Sequence, residues 1–105
     1  MPRNKGATPV PFPFETKTLT IGETEYTFKE LTVGENDFCA DAAKNDKGDI
    51  DGRKMMRLMV AKSSVEPKLS LEDLLECPNR VYVKFCEAVN DLNIPADEDD
   101  ESPNA

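Results

Sequence analysis

The chain's 105 residues carry 21 acidic and 13 basic side chains, for a formal charge of −8, and include no histidine or tryptophan. That balance disfavours direct nucleic-acid binding, which needs a basic face against phosphate, and the missing histidine removes the commonest general base and metal ligand together. Three cysteines without CxxC spacing fit a reducing cytoplasm better than a disulfide framework.

Residues 1–16 hold Pro2, Pro9, Pro11 and Pro13, with Phe12 and Phe14 interleaved. Proline lacks the amide hydrogen and pushes its neighbour toward extended backbone, so helix is excluded here. The expectation is a disordered Pro/Phe leader whose PVPFPF stretch either lies extended against the domain or docks into a partner. No apolar signal-peptide core opens the chain and no run approaches membrane-spanning length, so the sequence reads as soluble and intracellular, without a membrane partner. Residues 17–94 are expected to form a single domain. A core built from about 75 residues has limited stability in hand, which leaves room for a partner or self-association to contribute.

From Thr18 the side chains alternate, with Leu19 and Ile21 on one face and Thr18 and Thr20 on the other. Gly22-Glu23-Thr24 supplies a turn, and the return strand puts Tyr26 and Phe28 together. A two-stranded hairpin is marginal alone, so this apolar face must pack on the helices that follow. Thr32-Val33-Gly34-Glu35 fits the capping-box pattern, in which Thr32 caps the helix and Glu35 reaches back to its amide.

A first helix is predicted from about Glu35 to Lys44, with Phe38 and Ala42 on a narrow apolar stripe flanked by Cys39 and Ala43. Asn45 to Asp49 breaks it, helped by Gly48. A calcium-loop reading of residues 46–52 fails, because Lys47 holds the first ligand position and Leu58 the twelfth. A solvated turn in which Asp49 or Asp51 caps the next helix fits better.

The second helix, roughly Gly52 to Val65, carries Met55, Met56 and Met59. Flexible thioethers fill irregular cores, and they also suit adaptable partner surfaces. Arg53, Lys54, Arg57 and Lys62 on the same helix are the only local concentration of positive charge. Pro67 closes the helix, and Ser70 with Glu72 and Asp73 starts a short third one, Leu71 to Glu76. Pro78 suits the first position of the last helix, Asn79 to Asn93. There Val81, Phe85, Ala88 and Leu92 form the stripe, Tyr82 and Val89 flank it, and Arg80, Lys84, Glu87 and Asp91 face out. Residues 95–105, with the acidic run Asp97 to Glu101, read as a disordered, solubilising tail.

The predicted architecture is therefore α+β: an N-terminal β-hairpin followed by a small bundle of three to four α-helices. No triad, phosphate loop or metal-ligand set is legible, so neither enzymatic activity nor a cofactor is expected. The cysteines read as small hydrophobes, although Cys77 near a helix start has a setting that can lower a thiol pKa.

The run LTIGETEYTFKELTVGE from Leu19 to Glu35 is followed by an acidic helix, a Met- and Leu-rich helix, LSLEDLLECP and a last helix with DLN. In this succession the chain resembles the phage tail assembly chaperones, over roughly Thr18 to Leu92. The Pro/Phe leader departs from that family's pattern. The resemblance implies a non-catalytic protein of the bacterial host cytoplasm, missing from the mature virion. It would keep the tape measure protein soluble and assist assembly of the tail tube protein around it. The helical face expected to make the contacts is Met55, Met56, Met59, Phe85 and Leu92. Two alternatives from other classes are an acidic regulator that occupies a basic nucleic-acid-binding partner and a minor structural protein of the virion.

Overall fold

The computed structural model describes residues 12–94; residues 1–11 of the expected leader and the expected tail, 95–105, lie outside the described residues. Strands β1 (Thr16–Ile21) and β2 (Thr24–Lys29) form the hairpin, antiparallel and in unbroken register from Thr16 opposite Lys29 to Ile21 opposite Thr24. Its two-residue loop needs positive φ at the first position, and Gly22 takes φ +66° there. Pairing starts earlier than the alternation of side chains suggested: Thr16 is already in the strand, and Glu15 and Glu30 exchange hydrogen bonds just beyond it.

Helix α1 (Val33–Ala42) follows through the capping box. Thr32 Oγ1 accepts the Glu35 amide at 3.0 Å, and Glu35 Oε1 accepts the Thr32 amide at 3.0 Å. The apolar stripe of α1 is displaced by one residue from the expectation. Cys39 and Ala43 are buried, whereas Phe38 is 53% exposed and lies under the Lys62 ammonium, 4.7 Å from its ring centroid. A cation over an exposed ring shields one ring face without taking it into the core. The loop after α1 folds around the Asn45 carboxamide, whose Oδ1 accepts the amides of Lys47 and Asp49.

Helix α2 (Gly52–Ser63) starts at Asp51, whose carboxylate accepts the amides of Arg53 and Lys54. It stops two residues short of the expected end, because Ser64–Glu66 forms a third strand, β3, antiparallel to β2. The sheet order is β1-β2-β3, which makes β2 central. Two buried serines fasten this junction: Ser63 Oγ donates to the Lys29 carbonyl, while Ser64 Oγ donates to Ala61 O and accepts the Leu69 amide. Both are satisfied, as buried hydroxyls must be.

Helix α3 (Leu71–Glu76) has a second capping box between Ser70 and Asp73, and it buries Leu74. Helix α4 (Asn79–Asn93) follows with Pro78 at its N-cap. The hairpin's apolar face lies on α4, where the Phe85 ring centroid sits 4.9 Å from that of Tyr26 and 5.3 Å from that of Phe28, both tilted. Such tilted aromatic pairs add about 0.5–1.5 kcal/mol beyond area burial. Phe28, Val60, Phe85, Ala88 and Val89 form the centre of the core between sheet and helices. The hairpin therefore gains its missing partner from a helix more than fifty residues further along the chain.

Candidate functional site

The five positions expected to form one contact face, Met55, Met56, Met59, Phe85 and Leu92, are divided by the fold. Phe85 is 2% exposed, and Met59 and Leu92 are 8% exposed, so all three belong to the interior. Residues that hold the sheet on the helices cannot present themselves to a partner without opening the domain, which corrects the expectation for Met59, Phe85 and Leu92. Met55 and Met56 are half-buried and line different hollows.

A largely apolar surface, interrupted by Asn36, Asn90, Asn93 and Glu30, instead surrounds the joint between β2 and α1. Two shallow hollows, of about 460 and 550 Å³, share Leu31, Thr32 and Val33 as a common wall. The first extends across Met55, the edge of Met59 and Ile94; the second extends under Phe12 and Phe14. Phe12, Phe14, Val33 and Ile94 are between 58% and 79% exposed. A lone exposed apolar side chain is ordinary, but four spread over two adjoining hollows mark a candidate interaction surface.

The sequence places these residues together through three local devices. The capping box turns the chain sharply at Thr32, which leaves Val33, at the first helical position, pointing away from the core. Asn93 ties the end of α4 to the same joint: its Oδ1 accepts the Leu31 amide at 2.8 Å and its Nδ2 donates to Val89 O at 2.8 Å. Glu15 and Glu30 bring the Phe12–Phe14 segment alongside. Neither Asn93 nor Val33 was legible as a site residue, since a lone Asn and a lone Val carry no spacing signal.

Charge around the joint is sparse and partly neutralised. Glu35 is held below the usual carboxylate range, first by the Thr32 amide and then by the Lys29 ammonium, against an opposing effect of burial. Lys29 Nζ lies 3.5 Å from Glu35 Oε2. The surface is suited to accepting apolar side chains.

Burial pushes the thiols of Cys39, Cys77 and Cys86 upward, so Cys77 is not the activated thiol its position near a helix start suggested. Tyr82 is also shifted upward, first by burial. Among the described residues no cluster of three potential metal ligands occurs, and no helix is long and apolar enough to cross a membrane. No protein-family model, curated protein or solved structure matches the chain.

Proposed function

We propose that this protein is a phage tail assembly chaperone that acts by binding, without catalysis. It keeps the apolar helices of a tape measure protein soluble in the bacterial cytoplasm and assists the tail tube protein to assemble around them. The observation that carries this reading is the apolar surface at the β2–α1 joint, Phe12, Phe14, Val33, Met55 and Ile94, on a protein of charge −8. An amphipathic helix lays its apolar stripe into a groove of this kind, while the net charge opposes aggregation of the complex. The stretch that supports the resemblance, Phe28 to Glu35, also builds this surface.

Co-expression with a tape measure protein tests it. The native chain should raise the soluble fraction of that protein, and Val33→Asp combined with Phe14→Asp should abolish the gain while leaving the fold intact. No gain with the native chain would sink the proposal. The charge of −8 also favours a second reading, an acidic regulator of a basic partner, for which binding would fall steeply with salt; apolar chaperone contacts should tolerate salt better.

A further inference from the structure

A second surface, with different chemistry, lies between α2 and the α3–α4 corner. Two hollows of about 610 and 310 Å³ share Arg57, Asn79 and Tyr82, which makes them one groove. Met56 and Tyr82 form part of its lining, and Leu75, 65% exposed, stands on its wall. Arg53 and Arg57 line one side, with the exposed Lys54 and Arg80 next to lining residues in sequence.

Its electrostatics run against the rest of the molecule. The ion pairs among the described residues join Lys17 to Asp91, Lys29 to Glu35 and Lys44 to Asp41; Arg53, Lys54, Arg57 and Arg80 take part in none of them. Helices α1 and α3 carry acidic side chains in their first turns, as the helix dipole favours. The first turns of α2 and α4 hold no acidic residue, and Arg53, Lys54 and Arg80 occupy them. Apart from the Asp51 carboxylate at the α2 cap, these cations have no acidic residue in their own first turns, which runs against local helix preference, and departures from local rules concentrate where a surface has a task.

We infer that this groove docks an acidic amphipathic helix of a partner protein. Arg53 and Arg57 stand one turn apart, a rise of about 6 Å, so carboxylates recurring at four-residue spacing on a helix lying alongside match both. Guanidinium groups hold carboxylates bidentately, which fixes register as well as sign. Met56, Tyr82 and Leu75 take the apolar side chains next to those carboxylates. The acidic run of this chain, Asp97 to Glu101, contains no apolar residue and would leave that lining unfilled. Nucleic acid fits poorly for the same reason: a phosphate backbone could meet the arginines but would leave Met56 and Leu75 without apolar partners.

Fluorescence anisotropy with the full chain tests the inference. The probe is a labelled peptide of about four helical turns, with glutamates at four-residue spacing beside a leucine stripe, and its lysine counterpart serves as control. The glutamate peptide should bind and weaken with added salt, the lysine peptide should bind at least tenfold more weakly, and Arg53→Glu with Arg57→Glu should reverse that preference. Tyr82→Ala should weaken the glutamate peptide without reversing it. Equal binding of the two peptides, or none to the native chain, overturns the inference. So does a tenfold gain on removing residues 95–105, which would make the chain's own acidic segment the occupant. A single-stranded oligonucleotide of equal charge that competes as well as the peptide also overturns it. None of these results touches the apolar surface at the β2–α1 joint, so failure here is separate from failure of the chaperone reading.

Discussion

The amide of Leu31, the residue before the α1 cap, donates to the side-chain carbonyl of Asn93, the last residue of α4, at 2.8 Å. Asn93 spends its own amide on the Val89 carbonyl, so one side chain joins the start of the helical layer to its end. Asn93→Ala should lower stability by about 1–3 kcal/mol, because the Leu31 amide loses its partner in a partly buried position. Asn90→Ala, on an exposed site nearby, should stay within about 0.5 kcal/mol. Urea unfolding measures both, and equal midpoints for the two variants would show the bridge to be inert.

Glu35 gives the fold an acid-sensitive fastening. Its folded-state pKa is depressed below the ordinary 4.5, so its contribution is present above that value and is lost as pH falls through the folded-state one. Glu35→Gln keeps the capping-box geometry but does not titrate. The native chain should be the more stable of the two at neutral pH, with the gap closing below about pH 4.5. A gap that stays constant from pH 7 to pH 3 would contradict this assignment.

Interior and interaction surface should separate cleanly by substitution. Phe85→Ala removes the ring that both Tyr26 and Phe28 pack on, and should cost about 3–5 kcal/mol, a large part of a small domain's stability. Val33→Ser, on a side chain that is 79% exposed, should change stability by less than about 0.5 kcal/mol and reduce tape measure solubilisation. Thermal unfolding beside the co-expression assay distinguishes the two; a destabilised Val33 variant would place that residue in the core.

Ser63, fully buried, donates its hydroxyl to the Lys29 carbonyl. Ser63→Ala should cost about 1–2 kcal/mol by removing that carbonyl's side-chain donor. Amide exchange should then quicken across β2 and β3 before it quickens in β1. Uniform acceleration throughout the sheet would mean that the serine supports the whole domain and not this junction.

Local chemistry made much of the architecture legible. Thr32 and Ser70 are read directly as caps, Gly22 as the hairpin loop, and the spacing of Phe85, Ala88 and Leu92 as the buried side of α4. What escaped depends on contacts between distant segments. The strand Ser64–Glu66 is too short for alternation to register, and only pairing with β2 defines it. Phe38 looked like core by hydrophobicity, but the orientation of α1 gives that place to Cys39 and Ala43. Three methionines within five residues fit either a core or a partner face, and only the resemblance places them together on one contact face. Successive helical residues diverge by about 100°, so Met55 and Met56 meet different hollows and Met59 falls inside.

Helix α2 passes into β3 with no residue between them, Ser63 ending one and Ser64 beginning the other. Most junctions between elements have slack that absorbs a length change. This one behaves like a gear meshed directly to a rack. One residue inserted near Arg57 would turn everything upstream by about 100° and push it about 1.5 Å along the axis, relative to the serines locked on the sheet. Met56 would then take the place of Met55 and Met55 that of Lys54, and the apolar and basic surfaces would lose their separation. Evolution of this chain should therefore tolerate insertions in the Asn45–Asp49 loop and reject them between Gly52 and Glu66.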